Sequence, residues 1–136
     1  MKTEPIAETW DALGNGQTRF IGAFYERLFE RFPGYRKFFP HKLDAGHLDK
    51  MAQTIALVAR FSDEEDLVAP RLHKVGSAHR PYDLQPRDMH NFATVFTEVL
   101  GEHLGNHWTD AAAQAWHDAF DRVIIPLLEE GERTAH

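Results

Sequence analysis

With 136 residues, 43% of them hydrophobic and 26% charged, the chain has the size and balance of one soluble globular domain, covering residues 1–136. Its net charge of -6 argues against nucleic acid or an anionic membrane as main partner, and the absence of cysteine excludes disulfides, thiolate metal sites, iron–sulfur clusters and thioether-linked cofactors. No apolar run approaches the ~18 residues of a membrane span, and the acidic start MKTEPIAETW lacks the apolar stretch of a signal peptide, so a cytoplasmic location is expected.

The periodicity predicts helices along the whole chain and no strands. A short first helix over about Pro5 to Leu13 ends at GNGQT, a loop after which Thr18 is placed to cap the next helix. From Thr18 to Arg31, the positions Phe20, Phe24 and Leu28 recur every four residues and mark a buried face; Pro33 stops this helix. GYRKFFP reads as a short helical turn ending before Pro40. Asp44 is placed to cap a helix whose inward stripe is Leu48, Met51, Ile55 and Val58, with Asp49, Lys50 and Gln53 off it. SDEED separates this from a shorter helix that holds Leu72 and Val75 and that Pro81 ends soon after His79. Pro86 opens the next helix in its first turn, with Met89, Phe92, Phe96 and Val99 inward. LGNHWTD is a break, and Thr109 caps a last helix whose inward positions are Trp116, Phe120, Val123 and Leu127; Pro126, inside it, is expected to kink or fray it. Six or seven helices of unequal length make an all-α fold, poorly matched to a symmetric four-helix bundle.

Nine histidines are the compositional outlier, and two of them stand apart. His47 edges the apolar stripe of its helix one turn before Met51, and His79 continues the Leu72/Val75 face of another helix 32 residues later. Taken singly, each reads as a half-buried or helix-terminal imidazole. Taken together, with Phe-rich segments on both sides, they also suit the two faces of a flat, apolar, metal-centred cofactor, which is haem; spacing alone leaves both readings open. His103 and His107 are four apart, but Gly105 and Asn106 lie between them where the helix is expected to end, so they read as solvated. His73, His90 and His117 lack carboxylate partners at di-iron spacing, and His41 and His136 read as surface residues. No HExxH, phosphate loop or nucleophile elbow occurs.

In their order, these segments resemble the globin family, in particular bacterial single-domain globins and the haem domains of flavohaemoglobins. FYERLFERFPGYRKFF resembles the second and third globin helices, HLDKMAQTIALV the distal helix, KVGSAHRPYDLQPRDM the proximal segment and AWHDAFDRVI the last helix, so the likeness covers nearly the whole chain. It implies the globin fold and a non-covalent haem b. It also implies His79 as the iron ligand, Phe39 stacked on the porphyrin, His47 and Tyr25 as distal residues facing the gas, and Met51 pressing on that ligand. Val75, Leu84 and Phe92 are implied as further apolar walls, and Lys50 and Arg80 as partners of the propionates.

The chain departs from that pattern in four ways. His47 stands where glutamine is common. Met89 stands ten residues past His79 where a tyrosine is usual, and Gly131 aligns with a glutamate of the last helix, with Glu130 one residue out of register. The connection PHKLDAG is two residues shorter than the bacterial pattern, which favours His47 as an iron ligand in part of the ferric population. The implied function is reversible binding of O2, NO or CO, for oxygen storage, delivery or NO detoxification; the other class is a haem-based gas sensor acting on a partner or a missing output domain. Enzymatic turnover, as NO dioxygenase or weak peroxidase, is expected to need an external reductase.

Overall fold

Helical periodicity is realised as seven α-helical segments among the residues that the computed structural model describes, namely 4–38, 45–61, 64–79 and 85–134; side chains at 38, 45, 47, 65, 77–79 and 132–134 fall outside that set. They are α1 Glu4–Ala12, α2 Gln17–Arg31, α3 Ala45–Phe61, α4 Glu65–His79, α5 Pro86–Leu104, α6 Asp110–Ala119 and α7 Ile125–Thr134. No strand occurs among the described residues. Asp44, His41 and His136 lie outside them.

Most helix boundaries follow from local chemistry. The last turn of α2 is closed by Phe32, whose N–H donates to Leu28 O at 2.9 Å, before Pro33 begins a 3-10 turn over Pro33–Phe38. Arg36 holds that turn against α2, its guanidinium 4.8 Å from the centre of the Phe29 ring. Helix α5 starts at Pro86, whose missing N–H costs nothing at a first helical position, and Asp88 Oδ2 accepts from the backbone N–H of Gln85 at 2.9 Å. It ends at Gly105, in the left-handed region at φ 54° that a residue with Cβ adopts reluctantly. Thr109 caps α6 as expected, its hydroxyl accepting from Ala112 N at 3.0 Å.

Two expectations are corrected. Thr18 does not cap α2: GNG forms a 3-10 turn over Gly14–Gly16 and the helix begins at Gln17. The Thr18 hydroxyl instead donates to Asp49 Oδ1 at 3.2 Å, a link between α2 and α3 that no local rule anticipates. Of the kink or fray expected at Pro126, the fray does not occur: the helix runs on to Thr134. The helix takes up a π turn over Phe120–Ile124 between α6 and α7, widening the ladder just upstream of the residue that lacks a donor.

The core forms where these faces meet. Phe20, Phe24 and Leu28 of α2 are 0%, 0% and 2% exposed, as their four-residue spacing requires, and they pack with Phe96 of α5 and Phe120 of the π turn. Ring centroids lie at 5.1 Å for Phe20–Phe96 and 5.3 Å for Phe96–Phe120, both edge-to-face, the geometry aromatic quadrupoles favour. Trp10 and Trp116 extend this core toward α1, where the Trp116 indole donates to the Thr9 hydroxyl at 2.8 Å. Helix α2 packs on α3 and α5, α1 on α3 and α6, and α4 chiefly on α7.

The α4–α7 crossing is unusually close because both helices present glycine there. A Cβ on Gly76 would collide with the Leu128 carbonyl, and one on Gly131 would lie 2.7 Å from His73 Cα and overlap its carbonyl. Only hydrogen fits at either position.

Candidate functional site

Between α3 and α4 the packing opens into a cavity of about 1020 Å³, counting its mouth toward solvent. Tyr25 and Leu28 come from α2, and Tyr35 from the 3-10 turn. Met51, Thr54, Ile55 and Val58 are supplied by α3, and Leu72, Val75 and Gly76 by α4. Asp88, Met89 and Phe92 of α5, with Phe120, Ile124, Ile125 and Leu128 of the last helical run, complete the wall. The π turn matters here, since it brings Phe120, Ile124 and Ile125 to the wall together.

The polar groups on this wall are few, and each has a physical account. Thr54, 8% exposed, donates its hydroxyl to Lys50 O at 3.0 Å within α3, which removes it from the cavity's chemistry. Tyr25 is 4% exposed, its ring 5.0 Å from Phe24 and stacked 6.0 Å from Phe29, and burial pushes its phenol far above the ordinary tyrosine range. It is therefore a neutral O–H donor at any physiological pH. Tyr35, at the mouth, donates to Asp88 Oδ1 at 2.8 Å and accepts from Asn91 Nδ2 at 3.0 Å. Burial raises this phenol too, the Asn91 donor opposes the rise and the Asp88 acceptor adds to it.

Among the described residues, no group of three or more His, Asp or Glu side chains converges to hold a metal ion. A flat apolar cofactor fits what is present: apolar side chains from two facing helices, a neutral phenol on the wall, and polar groups only toward the mouth.

A family model described as Globin matches residues 22–126. The chain belongs to the globin family. Among its relatives it is 26% identical over 129 residues to the Flavohemoprotein of Xylella fastidiosa (strain Temecula1 / ATCC 700964), covering 93% of this chain and 32% of that protein. It is also 26% identical over 128 residues to Hemoglobin subunit alpha-D of Branta canadensis, with 88% and 85% covered, and 25% identical over 130 residues to Hemoglobin subunit mu of Homo sapiens, with 92% of each covered. The chain thus spans about a third of the length of the flavohemoprotein, and most of each haemoglobin subunit.

Within the globin frame, the structure brings some expected residues to the cavity. Tyr25, Met51, Val75 and Phe92 all line it. Lys50 is exposed on α3. His47 lies in the first turn of α3 and His79 is the last residue of α4, but their side chains are outside the described residues, as are Phe39, Arg80 and Leu84 altogether. Met51 lies one turn after His47 and Val75 one turn before His79 in the helical register.

Four further histidines lie at the surface among the described residues. His103 and His107 are exposed, with His103 Nδ1 3.1 Å from Val99 O in its own helix and its ring edge-on to Phe20 at 5.6 Å. His90 and His117 are exposed as well.

Glu130 and Gly131 take a part that alignment to the bacterial pattern does not suggest. Gly131 backs onto His73, and Glu130 Oε1 comes within 3.4 Å of His73 Nε2, too poorly aligned for a hydrogen bond. Sequence reasoning also missed Tyr35, Asp88 and Asn91. Their one legible signal was Asp88, three residues past Gln85 at the head of a proline-initiated helix.

Proposed function

We propose that this globin holds one non-covalent haem b between α3 and α4 and binds a diatomic gas, O2, NO or CO, reversibly. The observation that carries the reading is the apolar cavity walled by Met51 and Val75, each a turn from one of the two histidines, with the neutral phenol of Tyr25 on the same wall. Haem, when bound, would supply an iron centre able to take up and release a small gas. His79 is the proposed proximal ligand, in its neutral tautomer. Phe39, Met51, Val75, Leu84 and Phe92 surround the macrocycle and exclude water, which slows oxidation of ferrous iron. Lys50 and Arg80 meet the carboxylate edge. Tyr25 and His47 would donate hydrogen bonds toward a ligand in the cavity, and His47 would also compete for the iron in the ferric form.

The haemoglobin and flavohemoprotein relatives support haem binding; the roles proposed for it are oxygen storage or delivery, or NO detoxification with electrons from a separate reductase. Absorption spectra of the purified chain, ferric, ferrous and with CO, test the reading. His79→Gly should lose haem or hold it only with added imidazole; stoichiometric haem with an unchanged ferrous spectrum in that variant would overturn the assignment.

A further inference from the structure

The cavity mouth carries a hydrogen-bonded cluster that gas binding does not use. Its one side is the 3-10 turn after α2, from which Tyr35 projects; the other is the start of α5, with Asp88 in the first turn and Asn91 one turn on. Tyr35 and Asp88 both line the cavity, yet lie 53 residues apart in the chain. Asp88 accepts the Tyr35 O–H at 2.8 Å through Oδ1 and the Gln85 N–H at 2.9 Å through Oδ2, so the carboxylate that receives the phenol is itself fixed by the helix start. Asn91 Nδ2 donates to the phenol oxygen at 3.0 Å, and Phe32 stacks on the ring at 5.0 Å. The phenol is therefore held from three directions in one rotamer. Hydrogen bonds to a charged acceptor are stronger than neutral ones, and this one is partly shielded from water.

We propose that Tyr35 is a positioning residue of the cavity mouth: its phenol, clamped between Asp88 and Asn91, fastens the turn after α2 to the start of α5 and so retains the cofactor. Tyr35 and Asp88 both line the cavity, so releasing the clamp loosens its wall where the two elements meet. The inference rests on the haem reading above, and concerns how long the cofactor stays rather than what it binds.

The test uses the full chain loaded with hemin and follows its transfer to a large excess of a higher-affinity apoglobin. Tyr35→Phe keeps the ring against Phe32 and removes only the hydroxyl; hemin loss should rise about tenfold, the usual scale for a hydrogen bond to a charged partner. Asp88→Asn should act through the same bond, so in the Tyr35→Phe background it should add little. Asn91→Leu, which leaves the phenol–carboxylate bond in place, should give a smaller rise. CO spectra of all variants should match the parent, because the change lies at the mouth. Parent-like hemin loss in a Tyr35→Phe variant that takes up haem normally overturns this proposal and leaves the haem reading intact, as does full additivity of the Tyr35 and Asp88 changes. If Tyr35→Phe does not fold, parent-like hemin loss in Asp88→Asn overturns it in the same way. Failure of the parent chain to take up haem sinks both.

Discussion

Tyr25 shows how one buried phenol links stability to function. Its proton is held far more tightly in the folded chain than in the unfolded one, where the phenol titrates near its ordinary value of about 10. The folded state thus binds the proton better. Tyr25 contributes full stability below about pH 10, and that contribution is lost as pH rises toward the folded value. Urea denaturation against pH should show a decline above about pH 10 that is shallower in Tyr25→Phe. On the haem reading proposed above, the Tyr25 phenol is also a hydrogen-bond donor toward the gas. Loss of such a hydrogen bond costs about 1 kcal/mol, so Tyr25→Phe should speed O2 dissociation about fivefold in flash photolysis, and a further His47→Leu change should speed it more. An unchanged dissociation rate in both variants removes the two residues from the gas site. A second buried donor answers a structural need only. Trp116 Nε1, in a side chain 0% exposed, donates to Thr9 Oγ1, and Thr9→Val leaves that N–H without an acceptor. The cost should be about 1–3 kcal/mol in equilibrium unfolding, with spectra unchanged.

Among the helices, α4 depends most on a single neighbour, since its packing is chiefly on α7 and the contact requires glycine on both sides. Two effects of adding a methyl group compete there. Replacing glycine by alanine inside a helix stabilises by about 1 kcal/mol through propensity, whereas forcing a methyl into closed packing costs about 1–3 kcal/mol. At Gly76 and Gly131 the atoms in the way are backbone, which cannot rotate aside, so the steric term wins. Gly76→Ala and Gly131→Ala should each be net destabilising in urea, while Gly34→Ala, where a Cβ meets nothing within 4 Å, should not. Displacing α4 also moves Val75 in the cavity wall, so the two α4–α7 variants should hold haem less tightly. The α2–α5 pair is fastened differently. Arg27 forks onto Glu102 at 2.8 and 2.9 Å and Arg31 reaches Glu98, but these groups face solvent, so the buried Phe20, Phe24 and Phe96 hold the helices together.

For the whole molecule, the cavity is a gap in the core that α2, α3, α4, α5 and the last helical run all border. Its apolar walls lose packing partners when nothing fills it. A cofactor that binds the folded chain alone stabilises it by mass action, several kcal/mol when tight and saturating. Haem removal should therefore lower the melting temperature and the helical circular dichroism together. A cofactor-free chain as stable as the loaded one would show that the cavity is not part of the folding unit.

Helix number, the buried faces of α2, α3 and α5, and the caps at Pro86 and Thr109 were all legible in the sequence, because each follows from contacts within four residues along the chain. So was the candidacy of Tyr25, Met51, Val75 and Phe92, which the ordered likeness to globins marked and whose place in the cavity wall the tertiary structure supplied. The π turn was not legible: Pro126 announces a missing donor, and only the surrounding packing decides whether the helix breaks or widens. The partners of Thr18 and Tyr35 lie 31 and 53 residues away in the chain, on other helices, and no local pattern encodes them. The same holds for Gly76 and Gly131, two unremarkable helical glycines in sequence that the fold sets where only a hydrogen atom fits. Periodicity fixes which face of a helix is buried; the depth and register at which two such faces meet is a property of the assembled core, and the cavity mouth and the α4–α7 crossing are made there.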